Sequence, residues 1–287
     1  MSDSFGTRLR TAMDRFGPLC VGIDPHSALL DQWGLAQDAD GLRSFGLAVV
    51  EAAAGRAGVV KPQVAFFERF GSRGFAALEE VMSAARDAGL IVLADAKRGD
   101  IGSTMAGYAS AWLEPGSPLE ADAVTISPYL GPDSLRETLT TAVRAGKGVF
   151  VLAATSNPEA AALQTALTVD VAAADQQTVA ARVTRDVTWV NHSAAFAGGL
   201  GPIGLVIGAT VDRSAVGLDD ELLVDTPILA PGFGAQGATA DDLPARFGAV
   251  AGNVLASESR SILGAGAAGV AEMISTRNAR YQEVLRG

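Results

Sequence analysis

Short apolar runs recur along the chain at residues 19–23, 59–61, 90–94, 123–126, 148–153, 204–207, 227–230 and 253–256. Each has the length and apolar character of a strand buried on both faces. Between them lie amphipathic, Ala-rich stretches such as 74–88, 134–145 and 175–190, with Gly or Pro at most junctions. That punctuation is expected where helices enter and leave strands. Eight alternating units with no break in composition predict an α/β chain folded as a (β/α)8 TIM barrel, a single domain over residues 1–287. The interval from Ala153 to Gly204, about fifty residues, is longer than one crossover helix needs. A longer insertion between the fifth and sixth strands, at about 154–203, is therefore expected to carry an extra helix or a lid.

Composition narrows what such a barrel can do. A hydrophobic content of 48% over 287 residues gives ample core. The net charge is −10 and the Lys and Arg residues are scattered, without the basic stripe a nucleic-acid binder needs. A small phosphorylated ligand remains compatible, since one Arg and a few backbone N–H groups suffice to hold it. His26 and His192 are the only histidines and Cys20 the only cysteine, so a zinc site built from His and Cys is not expected. Cys20 lies inside the first apolar run and is read as an inert core thiol. The amino terminus carries no signal-like apolar core and no segment has the length of a membrane span, which predicts a cytoplasmic protein.

The candidate chemistry gathers at the ends of the strands. The third run leads into Leu93-Ala-Asp-Ala-Lys-Arg-Gly-Asp-Ile-Gly-Ser-Thr104. Asp95 and Lys97 are two residues apart, so strand alternation points them the same way, and Asp100 follows in the loop beyond Gly99. Two carboxylates thus bracket one ammonium. Such a triplet could simply close the end of a sheet with ion pairs, but the carboxyl ends of parallel strands are also where ligands sit. Lys61, directly after two valines, must either snorkel outward or face those carboxylates, and the adjacent-strand geometry favours the second. Asp24, before Pro25 at the end of the first strand, reads equally as a turn cap or as a site residue. The run Phe66, Phe67 and Phe70 reads as helix core rather than a stacking platform. Thr125-Ile-Ser-Pro128 and Thr155-Ser-Asn-Pro158 are, taken singly, ordinary loop chemistry. A Gly-rich turn, Pro231-Gly-Phe-Gly-Ala-Gln-Gly237, follows the seventh strand, and Arg260 follows the eighth. That order matches the recurrent phosphate site of this barrel, where backbone N–H groups and a guanidinium share an anion.

The segment from Leu93 to Thr104 resembles the signature of the orotidine 5'-phosphate decarboxylase family, and the likeness runs from Gly22-Ile-Asp24 to Arg260. It is nearest to the bacterial subgroup with Lys-Pro-Gln after the second strand and Ala-Thr-Ser-Asn-Pro after the fifth. The resemblance implies a lyase of de novo pyrimidine biosynthesis that converts orotidine 5'-phosphate to UMP and carbon dioxide, without cofactor or metal. It implies that Lys97 protonates the carbon 6 carbanion, that Asp95 and Asp100 flank that lysine, and that Lys61 completes the alternating charge network. It further implies that Asp24 binds ribose hydroxyls, Ser156 reads the pyrimidine edge, and Gln236 and Arg260 contact the phosphate. In this family the second aspartate and the residues after it enter the neighbouring subunit's site, which points to Asp100, Ile101 and Thr104 and to a homodimer with shared active sites. Two alternatives stay open. A metal-dependent sugar-phosphate decarboxylase or aldolase of the same superfamily would share the barrel, but carries an acidic metal ligand where Lys61 stands. A non-catalytic nucleotide-binding barrel would have no need of Asp95, Lys97 and Asp100 together.

Overall fold

Among the described residues, eight of the ten strands are apolar enough to be covered on both sides, and they close on one another. The computed structural model describes residues 3–169, 176–192, 196 and 199–286. The strands are β1 (Leu19–Ile23), β2 (Val59–Pro62), β3 (Ile91–Arg98), β4 (Ala123–Ile126), β5 (Gly148–Ala154), β6 (Leu167–Thr168), β7 (Gln177–Thr178), β8 (Ile203–Ile207), β9 (Ile228–Pro231) and β10 (Val254–Glu258). All except β6 and β7 form a closed barrel in the order β1-β10-β9-β8-β5-β4-β3-β2, and its pairs are parallel. Helices lie between successive barrel strands, so the chain is a single-domain (β/α)8 barrel.

Alternation along the strands divides the core in two. One face supplies the barrel interior, where Cys20, Val59, Leu93, Phe150, Leu229 and Leu255 pack together. The other face supplies a larger shell between sheet and helices, built on residues such as Val21, Val60, Val92 and Val151. The Phe150 ring fills the interior only because its neighbour across the ladder is Gly204, where an added Cβ would stand 2.5 Å from that ring.

The amino-terminal end of the barrel is sealed by the helix Phe5–Phe16, capped by the Ser4 side chain. Phe5, Leu9 and Met13 recur at four-residue spacing, so one stripe of this helix enters the interior cluster. Phe5 meets Phe150 edge to face, with ring centroids 6.1 Å apart. At the rim, Arg8 donates to Asp122 at 2.7 Å and Lys147 pairs with Glu120 at 2.7 Å.

The long connection after β5 holds the short helix Ala161–Gln164, the antiparallel ribbon of β6 and β7, and the helix Val179–Thr188. The last helix, Gly266–Arg286, buries Val270, Ile274, Asn278 and Tyr281 along one side. Among the described residues no helix is long and apolar enough to cross a membrane.

The sealing role of Phe5 is testable. Phe5→Ala should lower the urea unfolding free energy by about 3–5 kcal/mol, the range for deleting a buried aromatic ring. It should leave ligand affinity at the opposite end unchanged. A loss of less than about 1 kcal/mol would mean that the helix is not part of the cooperative core.

Candidate active site at the carboxyl end of the barrel

The site is built around the last residues of β3, which runs beyond its apolar part through Asp95, Ala96 and Lys97 to Arg98. The Asp95 side chain is buried, and both of its oxygens are occupied. Oδ2 accepts from Lys61 Nζ on β2 at 3.0 Å. Oδ1 accepts from Lys97 Nζ at 2.6 Å and from Thr125 Oγ1 on β4 at 2.9 Å. The Thr125 hydroxyl in turn accepts from the Lys97 backbone N–H at 2.9 Å.

Simple pleat alternation does not produce this convergence. The β3–β4 register shifts between Ala94 and Arg98, and Lys97 has φ +48°, the only positive φ outside glycine among the described residues. The left-handed conformation costs an L-residue free energy and persists where surrounding contacts over-determine it, as Thr125 and Asp95 do here. The consequence is an asymmetry between the two lysines: the Lys61 side chain is 7% exposed and that of Lys97 46%. Burial works against the charge on Asp95, but Lys61 and Lys97 outweigh it and hold the carboxyl well below the usual carboxylate range. Burial likewise opposes the Lys61 ammonium, and Asp95 and Asp24 outweigh it, holding that group above the usual lysine range. Below them, burial pushes the Cys20 thiol up to about 12, in keeping with an inert core residue.

These groups face a cavity of about 500 Å³ whose walls include Asp24, Lys61, Asp95, Lys97, Ser156, Gln236 and Arg260. Leu152, Val206 and Leu229 give it an apolar side. Among the described residues, Asp24 Oδ1 and Ser259 Oγ are buried without a hydrogen-bond partner, leaving two polar atoms for a ligand to satisfy. Across the mouth, Ser156 Oγ donates to Gln236 Oε1 at 3.2 Å, joining the loops after β5 and β9. Gly232, Gly234 and Gly237 all have positive φ, so the turn carrying Gln236 follows a path that side chains would resist. Arg260 begins the short helix Arg260–Leu263 directly after β10. One end of the cavity therefore presents paired lysines and a carboxylate, and the other an arginine beside a Gly-rich turn.

Seven of the ten sequence-predicted site residues meet in this cavity; Asp100, Ile101 and Thr104 do not line it. Asp100 accepts from the Ile101 N–H at 2.8 Å and, among the described residues, makes no ion pair. Among the described residues Lys97 is paired within the chain by Asp95 alone, so the bracket of two carboxylates read from the spacing does not form inside one chain. Ile101 is 59% exposed, and Thr104 is exposed as well. Thr125 reads from the sequence as loop chemistry, although its position beside Asp95 follows from β4 lying next to β3. Gln63 was also missed; a backbone bridge sets it opposite Asp95, and its side chain accepts from Lys61 at 3.4 Å.

Fold and site together define a (β/α)8 barrel with its binding cavity at the carboxyl ends of the strands, charged at one end and anion-ready at the other. Residues 17–274 match the model of the orotidine 5'-phosphate decarboxylase / HUMPS family. An orotidine 5'-phosphate decarboxylase from Salinispora tropica is 53% identical over 264 residues, covering 92% of this chain and 91% of its own. A crystallised Streptomyces avermitilis protein, provisionally given the same activity, superposes with a TM-score of 0.92 at 46% identity, covering 100% of this chain and 97% of its own. The Leishmania donovani OMP decarboxylase structure gives a TM-score of 0.75 at 30% identity, covering 99% of this chain and 100% of its own. The chain belongs to the orotidine 5'-phosphate decarboxylase / HUMPS family.

The depressed pKa of Asp95 fixes the sign of one pH effect. Its contribution to stability is present above the unfolded-state value, about 4, and is lost as pH falls through the lower folded-state value. Urea unfolding followed from about pH 5 to about pH 3 should therefore show wild-type stability falling more steeply than that of Asp95→Asn. Parallel curves would exclude Asp95 as the source.

Proposed function

We propose that this protein is a cytoplasmic, cofactor-free homodimeric enzyme that decarboxylates orotidine 5'-phosphate to UMP and carbon dioxide. The observation that carries the reading is the Lys97 ammonium, half exposed to the cavity and 2.6 Å from the buried Asp95 carboxylate. Breaking the bond from carbon 6 to the carboxylate leaves an electron pair in the plane of the pyrimidine ring, which the ring π system cannot accept. A fixed positive charge at that carbon lowers the barrier directly. Lys97 supplies it and then gives carbon 6 a proton, which it regains from solvent. Asp95, held ionised by two ammonium groups, stands beside the departing carboxylate and fixes the position of Lys97. Lys61 keeps Asp95 in place from below.

The other cavity residues take the remote parts of the substrate. Asp24, with its unpartnered oxygen, receives ribose hydroxyls. Ser156 meets the polar edge of the pyrimidine, while Gln236, Arg260 and the backbone of the Gly-rich turn at Ala235 and Gln236 hold the phosphate. Binding energy from the phosphate steadies the ring against the charge cluster and so contributes to catalysis at a distance. Asp100, Ile101 and Thr104 reach a second copy's cavity. Supporting this are their placement outside their own cavity, the exposure of Ile101, and exposed Tyr129 and Leu130 on the loop after β4. That loop lies alongside theirs, since Ser127 N–H donates to Arg98 O at 2.7 Å. The metal-dependent reading has less support: Lys61 occupies the place of its acidic ligand, and among the described residues no three His, Cys, Asp or Glu side chains gather to hold an ion.

A spectrophotometric assay with orotidine 5'-phosphate tests the reading. Turnover should persist in excess EDTA, and Lys97→Ala should abolish it while UMP still binds. Near-wild-type turnover by Lys97→Ala would overturn the role of this lysine, and loss of activity in EDTA would favour the metal-dependent chemistry.

Shared sites predict complementation. Lys97→Ala and Asp100→Ala chains, each nearly inactive, should on random exchange form mixed dimers in which one site holds both wild-type groups, restoring about a quarter of all sites. No recovery despite demonstrated exchange would mean that each site is built from one chain.

A further inference from the structure

Alternation along β10 sends Ser257 into the cavity and its neighbour Glu258 the other way, beneath the terminal helix. Glu258 is an acid with its side chain 1% exposed, and it is held on every side. Tyr281 donates its hydroxyl to Oε1 at 2.7 Å. Ser261, in the first turn of the helix that begins with Arg260, donates to Oε2 at 2.5 Å. Arg277 approaches that same oxygen at 3.6 Å, an ion-pair contact beyond hydrogen-bond range.

The Gly-rich turn rests on the same group. A Cβ added at Gly234 would stand 2.7 Å from Glu258 Oε2 and would collide with Ser261 Oγ, so the turn lies flat against this pair. Next to it, Phe233 lines the cavity and meets the Tyr281 ring edge to face, with centroids 5.6 Å apart. The Gly-rich turn and the helix that begins with Arg260 therefore both rest on Glu258 or its partner Tyr281.

We propose that Glu258, clamped by Tyr281 and Ser261, is a positioning residue that sets Arg260 and the Gly232–Gly237 turn in the geometry that grips the substrate's phosphate. A carboxylate behind a phosphate site repels the ligand, so attraction does not account for it. Its benefit is geometric: a fully satisfied buried acceptor locks three segments that are far apart in the chain, and removing a partner leaves the others unpaired. The inference rests on the proposed function for the identity of the ligand. Its test uses binding of UMP and uridine, which does not depend on turnover, so failure of the activity and failure of the clamp are distinguishable.

Affinities for UMP, uridine and inorganic phosphate are measured for Glu258→Gln, Arg260→Ala and the double variant, with Tyr281→Phe as a milder change that keeps the ring on Phe233. Glu258→Gln should weaken UMP and phosphate by about tenfold, as expected for a loosened charged contact, while leaving uridine unchanged. In the Arg260→Ala background the same substitution should add less than about twofold, because coupled residues are not additive. Tyr281→Phe should act in the same direction with a smaller effect, and it carries the test if Glu258→Gln does not fold. Equal weakening of UMP and uridine, unchanged UMP binding, or fully additive losses would overturn the proposal.

Discussion

An isolated carboxylate cannot be kept ionised in a protein interior without compensation, and Asp95 is buried at the point where three strands end. Its two oxygens collect Lys61 from β2, Lys97 from β3 and Thr125 from β4. The demand of one buried charge thereby ties three neighbouring strands together at their carboxyl ends. It also stabilises a backbone conformation at Lys97 that a lysine would otherwise avoid. Desolvation offsets much of what such buried pairs gain, so this cluster is better understood as fixing geometry than as adding stability.

The opposite end of the cavity follows the same logic with the visible and hidden parts exchanged. There the acid is Glu258, turned away from the ligand, and the cation it helps to place is Arg260 at the mouth. Leu152, Val206 and Leu229 give the cavity an apolar side, and Ser156 and Gln236 meet across the opening. On the proposed reading, the ligand brings an anion to Arg260, hydroxyls to Asp24 and a flat ring to the lysines. A nucleotide meets that description, with its base over the lysines.

The eight barrel strands were legible because covering a strand on both faces leaves an unbroken apolar run in the sequence. What escaped depends on neighbours distant along the chain. The far end of β3 is polar, and pleat alternation alone does not give the arrangement there; Lys61 and Thr125 both donate to Asp95, and Thr125 also accepts from the Lys97 backbone. Thr125, at the start of Thr-Ile-Ser-Pro, looks like any turn residue until β4 is set beside β3. Glu258 looks like a surface acid, since Tyr281 and Arg277 lie on the last helix of the chain. The bracket of Asp95 and Asp100 around Lys97 rests on spacing, and within one chain Asp100 instead accepts from the Ile101 N–H and stays outside the cavity.

The plug formed by Phe5, Leu9 and Met13 closes one end of the barrel completely. Traffic through the molecule is therefore two-way through a single doorway. On the proposed reaction, carbon dioxide finds its way through the amino-terminal end closed by that plug, and it leaves by the same mouth that Ser156 and Gln236 bridge and the nucleotide enters.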